Sequence, residues 1–186
     1  MKSINLNDIQ ESKEYSKPTA GGYICRITKV EDRPQKEYLY IEYDIADGDL
    51  EGYYKHLHDR LDADWWGAHY IRSYKPKALP FFKRMCSAVS KSNGNFVFDA
   101  GAINNDESTL TGKLIGLILQ EEEYIGNDGA KKTRLNVYRE VPIDVIKSGK
   151  FKVPAPKTLP DGNESTSNDP SEFMDIPSDT EEVPFA

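Results

Sequence analysis

The feature that most restricts the fold of this chain is a change of composition at Phe151. From there to Ala186 the chain is mostly Pro, Ser, Asp, Glu, Asn and Gly. Such residues bury too little apolar surface to offset the entropy of ordering the chain. The preceding residues have an ordinary apolar content, sufficient for one core. We therefore expect a flexible lead-in at 1–20, a folded domain at 21–150 and a disordered acidic tail at 151–186.

The charge of the chain is as uneven as its apolar content. The tail at 151–186 holds two basic and eight acidic residues. The net charge of the whole chain is −7, of which the tail carries −6 and the rest of the chain only −1. An acidic protein is ordinarily a poor candidate for binding nucleic acid. Here the acidity belongs to the tail, so the domain is free to carry a basic surface.

Alternation of apolar and polar residues predicts a domain rich in strands. The pattern is clearest at 38–45, where Leu39, Ile41, Tyr43 and Ile45 share one face. Further strands are predicted at 23–28, 52–57, 96–98, 110–120 and 134–141, with hairpin turns at 47–49 and 126–129.

A helix is predicted at 77–91, where Leu79, Phe82, Met85 and Val89 recur at helical spacing. A short terminal helix is predicted at 142–147. Three strands, a helix and then two or three strands follow the order of the OB-fold. The expected fold is therefore mainly β, a small OB-fold-like five-stranded barrel with one helix between strands 3 and 4. Gly112 and Gly116 are expected to mark bends in its sheet, and a small β-sandwich is the alternative.

Basic residues and aromatic rings are interleaved in the middle of the chain. Six cations and no acidic residue fall between Gly67 and Asn93. Proteins that bind single strands combine cations, which neutralise phosphates, with rings, on which unpaired bases stack. The alternative is a buried Trp beside a solvated helix face, and two adjacent Trp residues in a strand face opposite sides. The candidates for binding nucleic acid here are Trp65, Trp66, Tyr70, Arg72, Tyr74, Lys75 and Lys77.

A second group of candidates follows from the strand faces. If Leu135 and Val137 point into the core, the alternate residues of the last strand point outward, as do alternate residues of the first two strands. A nucleic-acid strand laid across the barrel would meet this outward set, whereas the plainer interpretation is ordinary pairing between surface residues. The candidates in this outward set are Arg26, Tyr38, Tyr40, Arg134 and Tyr138, and a basic group on the last hairpin adds Lys131 and Lys132.

The end of the tail combines acidic residues with an apolar tip. A flexible acidic arm of this kind can dock its apolar residue in a pocket of a partner protein while its carboxylates meet basic residues around the rim. The alternative is a tail that only improves solubility. The candidates for binding a partner are Asp179, Glu181, Glu182, Val183, Pro184 and Phe185.

Other classes of function have little support in the sequence. There is no Gly-rich phosphate loop and no nucleophile motif, so we expect neither an enzyme nor a cofactor. His56 and His58 lie near acidic residues, but Arg60 among them would repel a cation, and we expect no metal. No apolar run approaches the length of a membrane span. We expect a cytoplasmic protein, with Cys25 and Cys86 as free thiols.

Two parts of the chain resemble known proteins. The tip, Glu181-Glu182-Val183-Pro184-Phe185, resembles the acidic Ile-Pro-Phe end of bacterial single-stranded-DNA-binding proteins, with Val for Ile and an additional Ala186. The body is similar to a family of small proteins from phages of Gram-positive bacteria, through the strand opening 21–23 and the hairpin 38–52.

This resemblance implies an OB-fold protein that binds single-stranded DNA without strong sequence preference in phage replication or recombination. It also implies that the tip recruits replication or recombination proteins. The alternative is an accessory module that binds proteins and never touches DNA. The sequence leaves open the oligomeric state, a homo-oligomer included, and the choice between DNA and RNA.

Overall fold

A computed structural model of the protein describes residues 16–62, 66–94, 96–98 and 106–159. Within them lie five strands and three helices. The strands are β1 (Gly21–Arg33), β2 (Tyr38–Ile45), β3 (His69–Ser73), β4 (Leu114–Ile125) and β5 (Lys131–Val141). The helices are α1 (Tyr53–Leu61), α2 (Leu79–Ser92) and α3 (Ile143–Lys147).

The strands form one antiparallel sheet in the order β3-β2-β1-β4-β5. The fold is therefore mainly β with few helices, as the sequence predicts, and α2 lies between β3 and β4 in the chain. The sheet is not closed in the described residues, because no ladder of hydrogen bonds joins its edge strands β3 and β5.

The core lies on the inner face of this sheet. The alternation predicted for β2 is confirmed, since Leu39, Ile41, Tyr43 and Ile45 are all buried. Three residues of α2, Phe82, Met85 and Val89, pack into the same core. The fourth predicted core residue of this helix, Leu79, is instead 48% exposed because it lies at the first position of the helix.

The strand predicted at 52–57 is wrong, because these residues enter helix α1. The helix begins after Gly52, whose φ of +72° suits glycine. The carboxylate of Asp44 on β2 accepts hydrogen bonds from the first backbone N–H groups of the helix. Tyr54 and Lys55 donate these bonds, at 3.0 Å each. A carboxylate at a helix N-terminus satisfies groups that have no partner within the helix. Burial raises the pKa of Asp44, while these hydrogen bonds act in the opposite direction.

The third strand lies further along the chain, at His69–Ser73, where no strand is predicted. Residues 96–98 form no strand. The two predicted glycine bends also differ from expectation. Gly112 precedes β4, and Gly116 allows the backbone and side chain of Val141 to approach closely. The irregularities in pairing lie between Ile27 and Lys29 and between Ile118 and Leu119.

A buried ion cluster draws the two edges of the sheet together. Glu140 of β5 points to the inner face and is only 1% exposed. Arg72 of β3 donates a hydrogen bond to it from the opposite edge strand, and Arg84 of α2 lies 3.5 Å from its second oxygen. The sheet must therefore curl for these three groups to meet, although its backbone ladders remain open.

Replacing Arg72 with Met should lower the free energy of unfolding by about 3 kcal/mol, because Glu140 is left buried without its nearest cation. Urea denaturation followed by circular dichroism measures this loss. The matched change at an exposed position, Arg139→Met, should stay within about 0.5 kcal/mol of wild type. Equal effects of the two changes would contradict the role of the cluster.

The segment that follows the predicted boundary at Phe151 contacts the sheet. The ring of Phe151 rests on Gly22 of β1, where a Cβ atom would overlap it. Further on, Lys157 bonds through its backbone to Glu121 and Glu123 of β4, at 2.8 Å each. Residues 151–159 are thus held on the sheet.

Gly22→Ala should displace Phe151 and release the segment at 151–159, because the added methyl group occupies the position of the ring. Limited trypsin digestion should then cut after Lys152 or Lys157 sooner than in wild type. Gly21→Ala is the matched control, since its nearest neighbouring atom would lie at an ordinary 3.6 Å. Equally fast cleavage in both variants would contradict this anchoring role.

Both cysteines are free. Burial raises the pKa of the Cys86 thiol to about 11 and raises that of Cys25 as well, which keeps both protonated at neutral pH. None of the helices in the described part of the chain is long and apolar enough to cross a membrane.

Candidate nucleic-acid interface

The outer surface of β2 and β3 carries an aromatic patch. Tyr38 and Tyr40 alternate with the buried residues of β2 and so point away from the core. His69 and Ile71 do the same on β3. The ring centres of Tyr40 and His69 are 5.0 Å apart at an angle of 32°, and Ile71 is 44% exposed. We refer to these four residues as the outer aromatic face.

Sequence reasoning found only the β2 half of this face. His69 and Ile71 were missed because β3 itself was not predicted. A signal was present, since exposed His69, Ile71 and half-buried Ser73 alternate with Tyr70 and Arg72, whose side chains belong to the inner face. A strand of five residues is too short for such alternation to be distinctive.

The charges beside the outer aromatic face are balanced. On β1, Lys29 and Arg33 both form ion pairs with Glu31. Glu42 of β2 lies opposite Lys29 in the ladder. Arg26 is exposed on the same side, where its guanidinium donates to the carbonyl of Gly112 at 3.0 Å. The face therefore offers rings and hydrogen-bonding groups with little net charge.

Two of the predicted binding residues belong to the interior. Tyr70 is 6% exposed and packs in the core, where burial raises the pKa of its hydroxyl well above its usual value. Arg72 points inward to Glu140. Neither can meet a ligand on the surface, because both occupy the inward positions of β3. Tyr74 is half-buried and donates a hydrogen bond to Asp32 at 2.8 Å.

The two Trp residues separate as well. Trp66 is half-buried against the core and its indole N–H donates to the carbonyl of Tyr43 at 2.7 Å. Its ring centre lies 5.5 Å from that of His58. These contacts give Trp66 a packing role with one edge exposed. Trp65 lies outside the described residues.

The cations of the β4–β5 hairpin are neutralised locally. Lys131 pairs with Glu123 and Lys132 with Asp128, each at 2.8 Å. Arg134 pairs with Glu122 at 2.8 Å and lies over the ring of Tyr124, 5.1 Å from its centre. By contrast, Lys75 and Lys77 are exposed beside α2 and form no ion pair with any described residue.

The predicted outward set does not form one surface. β1 and β4 lie between β2 and β5 in the sheet, which separates Tyr38 and Tyr40 from Arg134. Tyr138 is displaced further, because Val137 and Arg139 pair with consecutive residues of β4 and Tyr138 is the extra residue between them. Its ring, 43% exposed, faces a different part of the molecule.

That part is a groove of about 890 Å³ between α2, β5, α3 and the segment at 150–155. We refer to it as the basic groove. Sequence reasoning did not select it, because its residues lie far apart in the chain and meet only after the last segment folds back. Its cations are Arg84, Lys91, Arg139, Lys150 and Lys152.

Comparison with known proteins adds no assignment: no protein-family model matches the chain, and no curated protein matches it in sequence. The described residues contain no group of three or more His, Cys, Asp or Glu side chains arranged to hold a metal ion.

Proposed function

We propose that the protein binds single-stranded DNA across the outer aromatic face, without strong sequence preference, in phage replication or recombination. The observation that carries the proposal is the cluster of outward Tyr38, Tyr40 and His69 rings on adjacent strands. Rings exposed side by side suit unpaired bases, whose faces are open for stacking.

The order of the strands supports this proposal. We infer that the sheet is an OB-fold barrel that lacks closing bonds in its ladder. The pairings of β1 with both β2 and β4, and the position of α2 between β3 and β4, fit that fold. The contact of Arg72 with Glu140 bridges the strands that would close it. In OB-folds, the surface of strands 2 and 3 and the loops 1–2 and 4–5 bind oligonucleotides.

The two loops supply cations for the phosphates. Lys36 is exposed in the turn between β1 and β2, beside Arg33. Lys131 and Lys132 lie at the start of β5 in the hairpin after β4. Several of these cations are paired with acidic residues, so a DNA strand would compete with those carboxylates. We therefore expect moderate affinity that falls as salt is added.

Tyr40→Ala should weaken binding of fluorescein-labelled oligo(dT) about tenfold, because one stacked base contributes roughly 1–3 kcal/mol. Tyr40→Phe is the matched control and should retain most of the affinity, since it keeps the ring. Fluorescence anisotropy at low salt measures both, with circular dichroism to verify the fold.

The proposal fails if the folded wild-type protein binds neither DNA nor RNA at low salt. Equal affinity of the Tyr40→Ala and Tyr40→Phe variants would mean that DNA binds to a surface other than the outer aromatic face. Titrations with oligo(dT), oligo(U) and a duplex compare DNA with RNA and single with double strands.

We further propose that the tip recruits a replication or recombination protein of the host or phage. The tip lies outside the described residues, and this proposal depends on its acidic and apolar sequence, 179–185. A chain ending at Glu172 should bind oligo(dT) as well as or better than wild type, because four acidic residues are removed. The shortened chain should no longer capture the partner protein from a host lysate. Weaker DNA binding by the shortened chain would contradict the proposal.

A further inference from the structure

The basic groove holds the least compensated positive charge among the surfaces considered above. Lys91, Arg139, Lys150 and Lys152 are exposed and form no ion pair with any residue that the structure describes. Among the described residues, the only carboxylate lining the groove is that of Glu140, which is buried and already paired with arginines. Cations beside the outer aromatic face and on the β4–β5 hairpin, in contrast, mostly have acidic neighbours.

The floor of the groove is apolar. We use the word floor for the apolar lining residues Ile118 of β4, Val141 of β5, Val145 of α3, and Phe151 and Pro154 of the final segment. An apolar floor with cations around it is complementary to a chain that carries acidic residues on either side of an aliphatic or aromatic side chain.

We propose that the basic groove binds an acidic peptide segment of a partner protein, with one apolar side chain of that segment seated on the floor. The site is separate from the outer aromatic face, since its walls are α2, β5, α3 and the final segment rather than β2 and β3. Peptide binding in the basic groove does not depend on whether the protein binds DNA.

A nucleic-acid strand fits the groove less well. Binding of single strands uses several exposed rings in succession. Among the described residues, the groove is lined by two rings, Tyr138 at 43% exposed and the half-buried Phe151. Much of the remaining lining is aliphatic, which offers nothing for bases to stack on. The volume of about 890 Å³ is that of a compact pocket for a few side chains rather than a long track.

The walls of the groove are held in place before any ligand arrives. Phe151 sits on Gly22, and the side chain of Gln120 donates to the carbonyl of Ala155. On the other wall, the backbone N–H of Ile143 donates to the hydroxyl of Ser92 at 3.1 Å, which ties α3 to the end of α2. A preformed groove spares a bound peptide the cost of ordering its site.

The test uses a fluorescein-labelled peptide of about twelve residues, acidic throughout except for a central Leu-Phe pair. It is titrated by anisotropy into the full chain and into a Val183→Ala/Phe185→Ala variant, so that the chain's own acidic tip does not mask the groove. Arg139→Glu/Lys152→Glu should weaken peptide binding about tenfold or more, because two attractions become repulsions. Lys17→Glu/Lys55→Glu, at exposed positions outside both surfaces, is the matched control for net charge and should retain affinity within about twofold.

A second peptide with Ser-Ser in place of Leu-Phe should bind at least about tenfold more weakly if the apolar floor is used. Should the groove variant misfold, Lys91→Gln/Lys150→Gln replaces it and should also weaken binding. The proposal is overturned if neither chain binds the peptide at low salt, or if control and groove variants weaken it equally. It is also overturned if the groove variant loses oligo(dT) affinity far more than the control, because the groove then takes nucleic acid.

Discussion

The buried carboxylate of Glu140 is the constraint on which the shape of the domain depends. A charge so fully removed from water is tolerated only with cations and hydrogen bonds around it. Its partners, Arg72 and Arg84, come from the opposite edge strand and from α2. Burial and the charge of Glu140 together raise the pKa of the neighbouring Tyr70 hydroxyl. The cluster is therefore satisfied only when β3, β5 and α2 are all in place, which makes their assembly cooperative.

The curl that this cluster imposes divides the surface into two chemically different regions. The outer aromatic face lies on β2 and β3 and has rings with balanced charges. The basic groove lies beside α2 and β5 and has cations over an apolar floor. We propose a nucleic acid as the ligand of the first region and a partner protein as the ligand of the second.

The sequence predicts the parts of this fold that depend on local pattern. β2 and α2 are long enough for their buried residues to recur several times, and both are found close to where they are expected.

α1 was predicted as a strand because its cap, Asp44, lies ten residues before Tyr54 and acts through the folded sheet. A local sequence pattern also does not reveal which cations form ion pairs with distant carboxylates. Arg72 was assigned to phosphates because its carboxylate partner is 68 residues away. The basic groove was missed for the same reason, since its walls come from α2 and from the later stretch that runs from β5 to Ala155.

The return of the final segment to the sheet has a consequence for aggregation. The ladder between β1 and β4 ends at the pair Gly21 and Leu119, yet β4 continues to Ile125. Beyond that pair, one side of β4 would offer bare backbone groups, and a bare edge invites strands from other molecules. The backbone bonds of Lys157 to Glu121 and Glu123 occupy this edge. The residues at 151–159, which look like the start of a tail in the sequence, thus cover this strand edge. Covering the edge disfavours edge-to-edge pairing of sheets between copies of the protein at high concentration.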